Sequence, residues 1–181
     1  MSHKPAPGDL EIIRNLLNTW SIPNETRKIT DFLNTKQDLV QFLKMNRISP
    51  DIKVDIAELK KFRGDIRTAI EEQNGEIILP WLDLYPVKAG LEIENKVAKT
   101  LYIPATDNHL ISKLLCVVVD VISLNHWSRL KACPDCRYVF YDHSKNGSKK
   151  WCGMYAESSE GRACGTIDKV KRYRERNKAK N

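Results

Sequence analysis

The chain has 181 residues, 41% of them hydrophobic, and a formal net charge of +7. This length allows one ordinary domain, or one domain with a small module beside it. The longest apolar stretch, residues 114–122, contains Asp120 and is too short to cross a bilayer, and the polar N-terminus lacks the apolar core of a signal peptide. We therefore expect a protein of the cytoplasm that has no membrane partner.

Helical periodicity prevails in the first half of the chain. The sequence predicts a helix over residues 9–19, a second helix from Thr35 and a third over residues 55–73, because apolar residues recur there at helical spacing. Thr35 and Asp38 form an acid version of the capping box at the start of the second helix. Gly75 is expected to end the third helix.

The middle of the chain combines a loop, a hairpin and a core helix. Residues 20–34 hold Pro23 and several polar groups and are predicted to be mostly loop. The segments 91–94 and 97–103 predict a short β-hairpin that turns at the two residues between them. A strongly apolar helix, capped by its first residue, is expected over residues 107–127 at the centre of the N-terminal core. No flexible linker follows it, so we expect it to transmit movements to the segment beyond.

Four cysteines near the C-terminus have the spacing of a zinc site. They are Cys133, Cys136, Cys152 and Cys164, separated by two, fifteen and eleven residues. Where thiols stay reduced, such a cluster favours one tetrahedral zinc ion per chain over two disulfides. Four thiolates leave no open position for a catalytic water, so we expect no enzyme. His143 lies in a turn between the second and third cysteines and could replace one thiolate, and this alternative stays open.

The order of elements around the cysteines predicts a treble-clef-like finger. A CPDC knuckle is followed by residues 137–141, which have strand composition, by a polar turn, and by a helix after Cys164 that Thr166 is expected to cap. The predicted fold is therefore mainly α with a small β-hairpin. A helical N-terminal domain, residues 1–128, precedes a four-cysteine zinc finger with a basic C-terminal helix, residues 129–181.

The positive charge is concentrated in the finger. Residues 129–181 hold 14 Lys and Arg against 6 Asp and Glu, a net charge of +8, whereas the other 128 residues hold 16 against 17, a net charge of −1. Such asymmetry indicates a polyanionic partner, and we expect duplex DNA. The candidate contacts are the polar and basic residues of the turn and of the last helix: Lys145, Asn146, Lys149, Lys150, Lys169, Arg172, Arg174 and Arg176.

Two further interpretations stay open beside DNA binding. The finger could stack single-stranded RNA on Tyr138 and Tyr141 if these rings face outward. It could also be a module that docks on another protein and has no regulatory role. In each case the last helix is expected to bury Ile167 and Val170, with Tyr173 or Arg174, against the zinc core, and Phe140 and Trp151 are expected to complete that core.

The finger sequence resembles the CGNR-type zinc finger of bacterial transcription regulators. The run CPDCRYVFYDHSKNGSKKWC, then ACG and DKVKRYRER, matches that family's pattern at Cys133, Cys136, Phe140, Asp142, Ser144, Asn146, Trp151, Cys152, Cys164, Gly165, Lys169, Tyr173, Arg174 and Arg176. The resemblance implies DNA binding in transcriptional control. Two departures are a longer spacer before the last cysteine, and Thr166-Ile167 in place of the signature Asn-Arg.

The N-terminal part resembles the ABATE domain that usually precedes this finger. The motifs that carry the likeness are LLNTW, which ends at Trp20, and TKQDLVQFL, which begins at Thr35. The resemblance implies a bacterial, stress-responsive regulator that acts at the nucleoid. Its first domain would then sense a small-molecule or protein effector, or form a homodimer. The target sequence and the sign of regulation are not specified by these motifs.

Overall fold

The computed structural model describes residues 4–23, 25–105, 108–153 and 163–178. The described part of the chain is largely helical, with three small antiparallel sheets of two strands each. Before the cysteines the elements are α1 (Leu10–Leu17), β1 (Trp20–Ser21), β2 (Thr30–Asp31), α2 (Lys36–Met45), α3 (Ile56–Glu72), a 3-10 turn (Gly75–Ile78), α4 (Leu79–Leu84), β3 (Val87–Glu94), β4 (Val97–Pro104) and α5 (Leu110–Ser123). A second 3-10 turn (Trp127–Arg129), β5 (Leu130–Ala132), β6 (Val139–Tyr141) and α6 (Cys164–Lys178) follow. None of the described helices is long and apolar enough to span a membrane.

Local signals placed the first three helices correctly. The capping box at α2 is complete: the Thr35 hydroxyl accepts from the Asp38 amide at 3.1 Å, and the Asp38 carboxylate accepts from the Thr35 amide at 2.8 Å. The prediction that Gly75 ends α3 is wrong. Gln73 ends the helix with a left-handed φ of 52°, and Gly75 starts the 3-10 turn instead.

The segment predicted as loop contains the small β1–β2 sheet, in which Trp20 lies opposite Asp31. The cause is tertiary. Arg63 on α3 donates two hydrogen bonds of 2.8 Å to the Asp31 carboxylate and one of 2.7 Å to the Thr19 hydroxyl. These bonds hold β1 and β2 next to each other. This ion pair, between residues 32 positions apart, is not visible in a local pattern.

The predicted hairpin is present and is longer than expected at its start. β3 and β4 pair over eight residues each, from Val87 opposite Pro104 to Glu94 opposite Val97. Asn95 and Lys96 form the two-residue turn with φ of 49° and 67°, the left-handed pair that the twist of such a hairpin requires. β4 packs against α5, while the outer part of the hairpin extends into solvent.

The prediction of one helix from residue 107 to residue 127 is wrong at its end. Asp107, its expected cap, lies outside the described residues, and α5 begins at Leu110. The helix ends at Ser123 because Asn125 adopts a left-handed φ of 57° and the His126 amide turns back to the Val121 carbonyl at 2.9 Å. No continuous helix therefore runs into the cysteines.

Side-chain packing, and not a continuous helix, connects the N-terminal helices to the strands that flank the knuckle. Leu130 on β5 and Val139 on β6 are fully buried in the same hydrophobic cluster as α1, α3 and α5. The predicted domain boundary after residue 128 stays a prediction, since a shared core neither supports nor excludes it. The strands that flank the knuckle therefore share a core with the N-terminal helices.

Asn18, in the LLNTW motif, pairs through its side chain with the free backbone edge of β6, as a neighbouring strand would. Its side-chain amide donates to the Val139 carbonyl at 2.8 Å, and its side-chain oxygen accepts from the Val139 amide at 2.7 Å. Both backbone groups of a buried residue are thereby satisfied, which a strand at the edge of a two-stranded sheet cannot achieve alone. The motif residue therefore attaches the finger to α1.

Arg67 makes a second attachment between the two parts. Its guanidinium donates to the carbonyls of Arg137 and Leu17 and lies 4.5 Å from the ring centroid of Trp20. Burial lowers the pKa of Arg67 to about 10, which leaves the side chain charged at neutral pH. The Ile22 amide also donates to the Cys136 carbonyl at 3.0 Å, so the knuckle is held by backbone as well.

Replacing Asn18 by Ala is expected to loosen the finger from α1. The change leaves the amide and the carbonyl of Val139 buried without partners, which should lower the free energy of unfolding by about 2 kcal/mol. Chemical denaturation measures that loss, and hydrogen exchange should rise in residues 137–141. Asn15→Ala is the matched control, because Asn15 bonds to Asn46 and not to the finger. Equal exchange in both variants would contradict this role of Asn18.

Candidate metal centre

The structure brings the four predicted cysteines together in one buried cluster. Their sulfur atoms all lie within 4.8 Å of one another, with Cys136 and Cys152 at 3.5 Å and Cys152 and Cys164 at 3.8 Å. Zinc bonded tetrahedrally to four sulfurs at about 2.3 Å needs sulfurs about 3.8 Å apart. A disulfide needs about 2.05 Å, and none of these cysteines is disulfide-bonded. The four residues are therefore positioned to bind one metal ion.

The knuckle is closed by the backbone around the first two cysteines. The Cys133 amide donates to the Tyr138 carbonyl, and the Arg137 amide donates back to the Cys133 carbonyl, both at 2.9 Å. Arg137 takes a left-handed φ of 62° to complete this tight turn. Cys133 follows β5 directly, so the β5–β6 sheet fixes where the first pair of sulfurs lies.

The last cysteine is the first residue of α6. The Ala163 carbonyl accepts from the amides of Thr166 and Ile167 at 2.8 and 3.1 Å, so the helix begins at Cys164. The prediction that Thr166 caps this helix is wrong, because the helical hydrogen bonds start before it. This placement puts the candidate ligand in the first turn of the helix, and a bound metal would hold that turn directly.

The donor chemistry fits a divalent cation. Hydrogen bonds from Cys136, Cys152 and Cys164 lower the pKa of the Cys133 thiol, whereas the same contacts, first of all those with Cys133, raise the pKa of the Cys136 and Cys164 thiols. Four neighbouring thiolates repel one another without a cation between them. A bound metal removes that repulsion and lets all four lose their protons. Such a site supplies structural cross-linking, which a finger with this small a core needs.

Trp151 and Gly165 join the cluster to the helix. Phe140, Tyr138 and Trp151 pack around the four cysteines, as predicted for Phe140 and Trp151. A Cβ atom at Gly165 would lie 2.9 Å from Cδ1 of the Trp151 indole, too close for any larger residue without displacement. Glycine follows the last cysteine because the ring occupies the space of its side chain.

Asp142 organises the turn that contains the predicted DNA contacts. Its fully buried carboxylate accepts from the amides of Ser144 and Lys149 and from the Lys131 ammonium at 2.8–2.9 Å. Burial alone would raise the pKa of Asp142, but these hydrogen bonds, together with one from the Ser144 hydroxyl, outweigh it and hold the pKa well below its usual range. Asp142 therefore stays ionised and keeps the turn in one conformation.

Two cationic side chains, Arg129 just before β5 and Lys131 within it, make their hydrogen bonds inside this turn. Arg129 donates to the carbonyls of Asp142, Ser144 and Lys145, and Lys131 donates to those of Gly147 and Lys149. Both side chains satisfy backbone oxygens and are half-buried. The sequence did not identify Arg129, Lys131 or Asn18 as residues that support the site.

The side chains of the turn that were predicted to contact DNA are exposed. Lys145, Asn146, Lys149 and Lys150 all reach solvent, and the Lys149 ammonium lies 5.7 Å from the ring centroid of Phe140. On α6, Lys169, Arg174 and Arg176 are exposed, while the side chain of Arg172 lies outside the described residues. The turn and α6 thus both adjoin the four-cysteine cluster, and their described cations are exposed to solvent.

The predicted buried stripe of α6 is correct in its first two members only. Ile167 and Val170 are half-buried, but Tyr173 is 65% exposed and Arg174 is exposed as well. Among the side chains of α6 that the structure describes, burial therefore ends with the second turn. The alternative ligand His143 is also placed elsewhere: its Nε2 lies 2.9 Å from the Pro5 carbonyl, and it is not part of the metal-binding cluster.

Loss of one cysteine from the cluster is expected to release the metal. The full-length protein should carry about one zinc per chain, and Cys136→Ser should carry far less, because three thiolates bind zinc less tightly than four. Metal analysis after dialysis measures the content. Cys116→Ser is the control, since that thiol is buried in α5 away from the cluster. Stoichiometric iron instead of zinc, or full zinc in Cys136→Ser, would contradict the zinc site.

Gly165→Ala is expected to displace Trp151 and destabilise the finger by on the order of 1–3 kcal/mol. Gly64→Ala, in the interior of α3 with nothing near its added methyl group, should instead stabilise the protein by about 0.5–1 kcal/mol. Thermal unfolding at equal zinc loading compares the two. If both substitutions shift the midpoint in the same direction, the contact with the indole does not require a glycine.

Comparison with known proteins identifies the C-terminal part alone. Residues 129–177 match the model of the family described as the CGNR zinc finger. No curated protein and no solved structure matches the chain. The match contains the four clustered cysteines, the buried Asp142 and the exposed cations of the turn and α6. Residues 129–177 are therefore similar to the CGNR zinc finger, and they hold four cysteines positioned to bind one metal ion.

Proposed function

We propose that this protein is a zinc-dependent transcription regulator whose finger binds duplex DNA. The observation that carries the proposal is the pair of exposed cationic elements that leave one metal cluster, the turn after β6 and the helix α6. Zinc in the cluster would fix both with respect to each other. Its role is structural, so we expect no catalysis. The expected location is the nucleoid in the cytoplasm, where the DNA is.

The turn is suited to phosphates. Asp142 and the two internal cations fix its backbone, and Lys145, Lys149 and Lys150 then stand outside on a rigid frame. Ammonium groups and small donors such as Asn146 are typical contacts to the DNA backbone, which set register without reading sequence. A rigid turn loses little conformational entropy on binding.

The helix is suited to the major groove. An α-helix fits that groove in width, and Lys169, Arg174 and Arg176 provide exposed cations along the described part of α6. Arginine has the forked donors needed for a guanine edge or a phosphate. The knuckle between β5 and β6, and the helix that starts at the last candidate ligand, support a treble-clef-like finger, which would deliver this helix in a fixed direction. Base contact by Arg172 remains part of the proposal.

The N-terminal part is proposed to be the ABATE-like regulatory domain. The contacts of Asn18 and Arg67 give it a direct hold on the knuckle and on β6. A ligand or protein that shifts α1 or α3 would therefore alter the finger through packing and hydrogen bonds. This route replaces the continuous helix that the sequence suggested.

A homodimer would let two fingers read a longer site. The hairpin supports this, because Leu91 and Ile93 share one of its faces and are 73% and 72% exposed. An antiparallel pairing of β3 with its copy, centred on Leu91, would bring Lys88 opposite Glu94 of the partner subunit. Light scattering tests the idea: a dimer that Leu91→Lys dissociates would support it, and a monomer at high concentration would contradict it.

The contacts of two tyrosines favour DNA over RNA. The Tyr138 hydroxyl accepts from Arg14 at 2.8 Å, and its ring packs on the cysteine cluster. The Tyr141 ring is half-buried between His126 and His143, with ring centroids at 6.2 and 4.8 Å. Neither ring offers a free face of the kind that stacks single-stranded bases. Docking on another protein remains the alternative function.

Binding to duplex DNA is expected to weaken steeply with salt, by about 0.9 log units in affinity per log unit of salt for each phosphate neutralised. The double variant Lys149→Ala and Lys150→Ala should weaken all sequences alike and flatten the slope by up to about two contacts. Fluorescence anisotropy over a range of salt concentrations measures both effects. Lys36→Ala with Lys44→Ala on α2, equally exposed but outside the finger, is the matched control.

Substitution of the arginines of α6 distinguishes contacts to base edges from contacts to the DNA backbone. Arg174→Ala or Arg176→Ala should cost about 1–3 kcal/mol more on a selected site than on random duplex if either side chain contacts a base edge. Competition with single-stranded RNA and with heparin completes the test. Zinc-loaded, folded protein that fails to bind any duplex at low salt would overturn the proposal and leave the docking function.

A further inference from the structure

A groove runs along α5 between the start of α1 and the strand β4. Its volume is about 680 Å³, within the range of small-molecule sites. The walls are mostly apolar and include Leu10, Ile12, Leu101, Leu114, Val117 and Val121. These side chains come from three separate elements, so the groove depends on the N-terminal fold.

One carboxylate interrupts the apolar wall. Asp120 lines the groove on α5 and is half-buried, yet no hydrogen-bond donor or cation contacts its carboxylate among the residues that the structure describes. The other charged residues along the groove, Asp9, Lys99 and Lys113, are exposed and can remain hydrated. Lys113 also lies about 10 Å from Asp120 along the helix, two turns earlier. A half-buried carboxylate without a protein partner favours a positively charged group beside it.

We propose that this groove binds a small organic cation. Its apolar aromatic or aliphatic body would lie against Val117 and Leu114, and a protonated amine would pair with Asp120. Mostly apolar walls with a few polar or charged groups are the usual construction of a small-molecule site. The amine would gain a charge-assisted hydrogen bond in a setting partly shielded from water.

The groove also adjoins the finger. His126 lines it and packs edge-on against Tyr141 of β6, and Tyr141 packs in turn against His143. Pro7 also lines the groove, and the carbonyl of Pro5, two residues earlier, accepts the contact from His143. A ligand in the groove would therefore contact His126, which packs against Tyr141, and Pro7, which lies two residues from the partner of His143. Both contacts adjoin the turn that carries Lys145 and Lys149. This coupling, unlike the binding itself, rests on the proposed DNA-binding function.

Three probes of one shape test the binding. They are 1-naphthylmethylamine, which is cationic at neutral pH, 1-naphthylmethanol, which is neutral, and 1-naphthoate, which is anionic. Titration calorimetry on the zinc-loaded full-length protein should show the amine bound at least about tenfold more tightly than the alcohol, since the charge contact is worth about one order of magnitude. The anion should bind most weakly.

Variants locate the site and its charge. Asp120→Asn should remove the preference for the amine and leave the affinity for the alcohol unchanged. Asp83→Asn, an exposed carboxylate on α4 outside the groove, should change nothing. Val117→Trp should fill the groove and abolish binding of all three probes, with the zinc content and the thermal midpoint reported as checks of folding.

Several results would overturn the proposal. They are equal affinity for amine and alcohol, preference for the anion, absence of any binding, or a full response in Asp120→Asn. The DNA readout is separate: if the amine binds through Asp120 but leaves DNA affinity unchanged, the site stands and the coupling to the finger is wrong. If the protein does not bind DNA at all, the proposed function fails while the calorimetric result on the groove is unaffected.

Discussion

The convergence of four cysteine sulfurs is the constraint on which the C-terminal part depends. These sulfurs lie close enough for tetrahedral coordination and too far apart for disulfides. Their arrangement joins a knuckle, the segment after the turn and the first residue of α6 in one cluster. Without a cation between them, the thiolates would repel and the first turn of α6 would lose its anchor. The position of α6 relative to the turn therefore depends on the cluster, whereas the turn itself is also held by Asp142.

A second set of contacts ties this cluster to the N-terminal helices. Asn18 completes the backbone hydrogen bonding of Val139, and Arg67 reaches a carbonyl of the knuckle. Leu130 and Val139 then extend the main hydrophobic core under the finger. The finger is thus supported by the cysteine cluster and by contacts with α1 and α3. These contacts are the basis of the proposal that the N-terminal helices influence the orientation of the finger.

What the sequence predicts well are features that depend on near neighbours. The capping box of Thr35 and Asp38, the turn of the hairpin and the spacing of the cysteines are all written within a few residues of chain. The end of α5 was predicted wrongly although its signal is also local, because Asn125 is a residue that readily adopts the left-handed conformation. Likewise the buried Asp142 accepts from the amide two residues ahead, a turn that Asp commonly makes.

Features made by distant partners could not be predicted in this way. Asn18 and Val139 are 121 positions apart, and the β1–β2 sheet depends on Arg63 reaching back to Asp31. The two cations that support the turn were mistaken for part of a general basic excess, because charge alone does not tell a side chain bonded to carbonyls from one facing a partner. Tyr173 shows the same limit, since helical spacing predicts a buried stripe without stating where the core below it ends.

The central claim, that a metal-organised finger binds duplex DNA, is tested most directly by adding zinc to metal-free protein in the presence of a labelled duplex. Anisotropy at low salt should stay near the value of free DNA until zinc is added and should then rise to a plateau at about one zinc per chain. The same protein treated with a chelator should release the duplex. Binding that is equal with and without zinc, or that never appears although one zinc is taken up, would contradict the account.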